Sequence, residues 1–155
     1  MGTSESFIRT PEAGATLNIL GTTHIYKATA AETGGSFSLW ELVIPPGSGP
    51  PPHTHHREDE AFYVLSGVVM FDLEGVSGPQ RVGPGGFVFG ARDRRHGLRN
   101  VGDQPAHLLV LSAPSVGLDQ MFAELDAITA TGRRDMGEIS AVCATHGVTI
   151  APPAA

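Results

Sequence analysis

Gly47-Ser48-Gly49-Pro50-Pro51-Pro52-His53-Thr54-His55-His56-Arg57-Glu58-Asp59-Glu60, running on through Ala61-Phe62-Tyr63-Val64-Leu65-Ser66 to Gly67, is the stretch on which the fold turns. His53 and His55 are two apart, so on a strand their imidazoles share one face. His56 has the opposite parity and is expected to face outward or toward the turn. Four residues then form a polar turn, in which Glu58 and Asp59 read as solvated, and Glu60 opens an apolar strand. A hairpin there can bring the Glu60 carboxylate onto the face of the two histidines. Two imidazoles and a carboxylate, with coordination positions left open, suit a redox-active divalent metal. His96, within Arg94-Arg95-His96-Gly97-Leu98-Arg99-Asn100, is the fourth candidate ligand. Four of the seven histidines fall at 53, 55, 56 and 96. The isolated His24, His107 and His146 read as surface or satisfied polar residues.

Outward from this stretch, short β-type runs are broken by turn residues. They cover Thr16–Leu20, His24–Lys27, Ser36–Ile44, Ala61–Leu65, Val68–Leu73, Phe87–Phe89, Gly97–Val101 and His107–Ser112. Gly34-Gly35, Pro45-Pro46-Gly47, Gly78-Pro79 and Gly83-Pro84-Gly85-Gly86 separate them. Many short strands without helical periodicity predict an all-β sandwich or barrel over about residues 16–113. Beyond Pro114 the period changes: Leu118, Met121, Phe122, Leu125 and Ile128 share a helical face. A second helix is expected from Asp135 to His146, with Asp135 and Glu138 as a capping box and Gly147 as its left-handed stop. Ile139, Val142 and Cys143 form its apolar stripe. Both helices, in an extension over about 114–150, are expected to pack on the outside of the β unit. Residues before about 15 read as a loose arm.

Composition narrows the function. The 155 residues suit a single domain, residues 1–155. Ten Lys and Arg against 16 Asp and Glu give a net charge of -6, which argues against nucleic acid as a partner. No apolar run is long enough for a membrane helix. Cys143 is the only cysteine, so no internal disulfide and no cysteine-rich zinc site can form. A reducing cytoplasm is the simplest compartment. Edge strands of a small barrel need cover, and Leu17, Ile19 and Leu20 are sparsely charged. A homodimer packing those edges is expected.

The spacing G-(X)5-H-X-H-(X)4-E-(X)6-G is met by Gly47, His53, His55, Glu60 and Gly67. It resembles the first motif of the cupin superfamily. The second cupin motif is met by Gly85, His96 and Asn100, with Ala91 where proline is usual and Asp93 where glycine is usual. The resemblance implies a double-stranded β-helix, a jelly-roll-like barrel, with a short C-terminal helical extension. The stretch from Pro51 to Gly67, with the tail Gly147-Val148-Thr149-Ile150-Ala151-Pro152-Pro153, resembles quercetin 2,3-dioxygenase-like cupins. It implies a metal-dependent dioxygenase using O2 on an enolised aromatic or polyketide-like small molecule. One divalent ion (iron, nickel, manganese or zinc) would be held by His53, His55, Glu60 and His96. Three neutral imidazoles and one carboxylate leave such a site at +1, which favours an enolate. Glu60 would be a ligand or would take the proton of the substrate hydroxyl. Trp40, Phe62, Val64 and Leu98 are candidate apolar walls by strand parity. Two alternatives stand beside this reading: a redox-neutral isomerase or cyclase, and a non-catalytic small-molecule-binding cupin.

Overall fold

The computed structural model describes residues 4–152. The outermost three residues of the expected domain at either end lie outside these. Among the described residues there are eleven strands: β1 Thr16–Ile19, β2 Thr22–Ala28, β3 Ser38–Ile44, β4 His53–His55, β5 Asp59–Ser66, β6 Val69–Leu73, β7 Gln80–Val82, β8 Phe87–Gly90, β9 His96–Asn100, β10 Ala106–Ala113 and β11 Val148–Ile150. Two helices, α1 Leu118–Ala130 and α2 Met136–Thr145, lie between β10 and β11. The strands form two antiparallel sheets, β1-β2-β3-β10-β5-β8 and β11-β4-β9-β6-β7.

Alternation drives the packing. On β3, Ser38, Trp40, Leu42 and Ile44 point inward, and on β10 so do Ala106, Leu108, Val110 and Ser112. Phe62 and Val64 of β5 share one core with Phe71 and Val69 of β6 from the facing sheet. The Phe62 and Phe71 rings lie 5.4 Å apart edge to face, a geometry that adds to their burial. The turn into β6 needs glycine: Gly67 has φ of 85°, and a Cβ there would sit 2.8 Å from Ala106.

Three strands lie outside the runs that alternation marked: β4, β7 and β11, each three residues long. β4 is too short to show a period and is held by β11, with Val148↔His55, Thr149↔Thr54 and Ile150↔His53 in register. Its one partner on the other side is His96, opposite His53.

The helices follow the predicted stripes, with Leu118, Met121, Phe122 and Leu125 buried on α1 and Ile139 and Cys143 on α2. Asp135 caps α2 by accepting from the N–H groups of Gly137 and Glu138. The box is not closed, because the Glu138 carboxylate bonds Arg133 instead. They pack onto the β unit as expected, leaving Gln120, Glu124 and Ala144 exposed on their outer faces. The inward stripes do more than cover the sheet: Met121, Phe122, Leu125, Ile139 and Cys143 line one cavity together with barrel residues. An apolar stripe needs an apolar partner, and the open barrel end supplies Ile19, Trp40 and Leu98. Phe122 packs edge-on against Trp40 at 5.3 Å. Asp119 fastens α1 by accepting from Tyr26 Oη, Ser38 Oγ and the Ala30 N–H. Burial and that carboxylate push the Tyr26 phenol above its usual range.

Candidate metal centre

Three elements deliver four side chains to one point. β4 carries His53 and His55, β5 of the opposite sheet carries Glu60 at its start, and β9 carries His96. Their ligand atoms all lie within 4.8 Å of one another. Glu60 Oε2 is 2.9 Å from His96 Nε2 and 3.2 Å from His55 Nε2. The His55 and His96 rings are nearly parallel at 5.5 Å, and His53 stands edge-on to both, at 4.9 and 4.6 Å. His53 Nδ1 lies 2.7 Å from the Pro51 carbonyl. The carbonyl can only accept, so Nδ1 carries the proton and Nε2 keeps its lone pair.

The site is charged and largely buried. Burial works against the Glu60 carboxylate, but His55 and His96 outweigh it and hold it well below the usual range. Burial likewise opposes charge on His55, yet Glu60 and Glu58 raise it to about 10. Burial, with His55 and His96 nearby, lowers His53 to about 4. Neither ring nitrogen of His55 has a hydrogen-bond partner among the described residues, nor has His96 Nδ1. Polar atoms orphaned this way in a buried nitrogen and carboxylate donor set are those a divalent ion would use. The four residues could hold one.

Glu58 corrects the reading of the turn as solvated: it is fully buried. Its Oε2 lies 3.7 Å from His55 Nδ1, so it sits behind the imidazole and favours a proton on that nitrogen. Asp59 is half-exposed and bonds Arg92 through both oxygens. Arg94 and Arg95 pair with Glu74 and Asp72; the arginine run is a paired surface. His56 is exposed, as its parity predicts. His107 and His146 meet Glu41 and Glu124.

Trp40, Phe62 and Leu98 line the cavity beside the cluster, with Phe122, Met121 and Leu125 from α1; its volume is about 90 Å³. Val64 is fully buried but is not among the lining residues. It shares a face with Glu60, but four residues along a strand is about 13 Å, which carries it past the cavity into the core. His24, read as surface or satisfied, is instead a buried wall of the same cavity, between Trp40 and Phe122. Its parity with Thr22 and Tyr26 on β2 was the available signal. Nothing local marked Glu58, whose burial depends on how the β4–β5 turn folds back.

Residues 40–112 match the family model described as Cupin domain. The chain is 33% identical over 111 residues to polyketide synthase CurC of Streptomyces cyaneus, covering 69% of each protein. Among solved structures it is similar to the polyketide cyclase RemF from Streptomyces resistomycificus, with a TM-score of 0.57 and 25% identity over 72% of this chain and 80% of that one. It also resembles a predicted oxalate decarboxylase from Thermotoga maritima, with a TM-score of 0.61 and 20% identity over 70% of this chain and 99% of the other. This last likeness concerns the fold alone.

Proposed function

The chain belongs to the cupin family, and on that footing we propose that it is a single-domain, metal-dependent enzyme acting on an enolised, polyketide-like small molecule. The observation that carries the reading is the histidine and glutamate cluster at the wall of an apolar cavity. The named relatives, a polyketide synthase and a polyketide cyclase, supply the substrate class.

His53, His55, Glu60 and His96 would hold one divalent ion; iron, nickel, manganese and zinc all suit the donor set. Bound there, the ion supplies charge stabilisation for an enolate oxygen. His53 keeps its Nε2 lone pair free because Nδ1 is committed to Pro51. Glu60 would either stay a ligand or swing away from the ion to accept the proton of the substrate hydroxyl. Trp40, Phe62, Leu98 and Phe122 exclude water and orient the carbon skeleton. The likeness to a polyketide cyclase favours a redox-neutral ring closure or isomerisation. A dioxygenase is the second reading, favoured by the likeness of the Pro51–Gly67 stretch to quercetinase-like cupins.

Elemental analysis of the purified protein, then an oxygen electrode and product analysis with flavonols and linear polyketone enols, tests both. A ring-closed isomer without oxygen uptake supports the first reading, and oxygen uptake on turnover the second. Bound metal with no turnover of any enol would leave a binding protein and end both.

A homodimer belongs to the same proposal, at a different edge from the one expected. Ile19 is buried, and the backbone N–H groups of Asn18 and Leu20 already bond Asp126 and Thr129 of α1. The opposite edge strand, β8, exposes Phe87 and Phe89 beside Tyr63 and Leu65 of β5. That face suits a second copy. No helix among the described residues is long and apolar enough to cross a membrane. A cytoplasmic setting is proposed on the single unpaired thiol, Cys143.

A further inference from the structure

His24 presents its two ring nitrogens to different surroundings. Nε2 lies 3.2 Å from Thr22 Oγ1, and Thr22 Oγ1 gives its own proton to the Ile19 carbonyl at 2.8 Å. A hydroxyl has one proton, so toward His24 it accepts, and Nε2 carries the ring proton. Burial holds the imidazole down to about 4, against the pull of the Glu60 charge, so near pH 7 the ring is neutral. Nδ1 is then a bare acceptor. It is buried with no hydrogen-bond partner among the described residues.

Trp40 shows the complementary state. Its indole Nε1 is a donor only, and it too is buried without a partner. The two rings are stacked, 6.0 Å apart with planes 11° from parallel. Both line the cavity that His53, His55 and Glu60 also line. Buried polar atoms are nearly always paired in native proteins, so two orphans of opposite character on residues that line one cavity need an explanation. A ligand bearing both a donor and an acceptor satisfies them together.

We propose that His24 and Trp40 are substrate-binding residues: His24 Nδ1 accepts a hydrogen bond from a substrate hydroxyl, and Trp40 Nε1–H donates to a substrate carbonyl oxygen. The ligand class is a planar hydroxy-carbonyl compound, gripped here at atoms other than those facing the histidine and glutamate cluster. This deepens the functional reading above and rests on it only in taking this cavity as the substrate site.

The probes are 1-naphthol and 1-methoxynaphthalene, close in size and differing in one O–H donor. Calorimetric titration of the full metal-loaded chain is expected to show 1-naphthol bound about three- to tenfold more tightly, the range of one net hydrogen bond. His24→Phe keeps an aromatic ring and removes the acceptor. It is expected to hold the ether's affinity within about twofold and to erase the preference for the naphthol. The preference is also expected to persist in wild-type protein stripped of metal, because it resides on His24. Equal binding of the two probes by wild type, a preference that survives His24→Phe, or one lost with the metal would overturn the proposal. If the variant does not fold, 15N spectra of the wild-type His24 ring decide. Nδ1 is expected to be unprotonated and to shift with 1-naphthol and not with the ether; a protonated Nδ1 would overturn the assignment. None of these readouts involves turnover, so failure here and failure of the enzyme reading are separately visible.

Discussion

Asp93 stands in the left-handed region, at φ of 60°, and its carboxylate accepts a 2.7 Å hydrogen bond from His56 Nδ1. This is the position where the cupin motif usually has glycine, and aspartate is among the few side chains that tolerate that conformation. The Asp93 N–H donates to the His55 carbonyl at 2.7 Å, and His56 Nε2 meets Thr149 Oγ1 at 2.9 Å. The departure from glycine therefore leaves His96 in the cluster, and it fastens the loop before His96 to the strand that bears His53 and His55.

Asp93→Gly should leave the melting temperature within a few degrees, because relief of strain offsets the lost bond. Asp93→Val, β-branched in a left-handed site, should cost about 1–3 kcal/mol, read as a drop of several degrees in thermal unfolding. His56→Ala should cost less than about 1 kcal/mol, as an exposed bond does, and leave metal content unchanged.

His55→Ala should remove most bound metal while circular dichroism still reports a folded barrel, since the core is apolar. Glu58→Ala should weaken metal binding about 10- to 100-fold by freeing the His55 ring. Competition with a chelator measures both. Glu58→Ala with wild-type affinity would refute the positioning role.

Stability should fall on acidification through His24. The unfolded imidazole takes a proton near 6.5, the folded one only near about 4. Between those values the unfolded chain binds more protons, so stability present above pH 6.5 is lost as pH drops toward 4. The full loss is about 3 kcal/mol. His53, also lowered to about 4, adds its own loss in metal-free protein. Urea titrations at pH 7.5, 6 and 5 should therefore show wild type losing stability relative to His24→Phe as pH falls.

Asp119→Ala should detach the first turn of α1, removing an acceptor shared by Tyr26, Ser38 and the Ala30 N–H. About 2–4 kcal/mol is expected from those partners left unpaired. Hydrogen exchange over Leu118–Ala130 should accelerate more than over β3 and β10.

Phe87→Lys with Phe89→Lys should convert a dimer into a monomer by light scattering at micromolar concentration. A wild-type monomer under the same conditions would remove the dimer proposal.

The barrel and the four clustered side chains were legible because two strong local signals carry them. Period-two alternation marked β2, β3, β5 and β10, and fixed spacing brought out His53, His55, Glu60 and His96. What stayed hidden depends on distant partners. β11 is a strand only because β4 lies beside it, and neither is long enough to show alternation. The stripes on α1 and α2 were plain, but a stripe does not say which apolar surface it will meet. His24 looked like any lone histidine until Trp40 and Phe122 enclosed it. Glu58 looked solvated because burying a carboxylate behind an imidazole leaves no trace in hydropathy.

The pairing of β4 with β11 has a consequence for the order of events in the cell. Two of the four clustered side chains sit on a three-residue strand whose three-rung partner is Val148–Ile150. During synthesis His53 and His55 leave the ribosome about 95 residues ahead of that partner. The strand cannot take its final form until the partner arrives. Any ion capture at this cluster would thus be a late event, coupled to formation of the β4–β11 pair rather than to emergence of the motif. A nascent chain arrested before residue 148 should have a collapsed barrel but bind metal poorly.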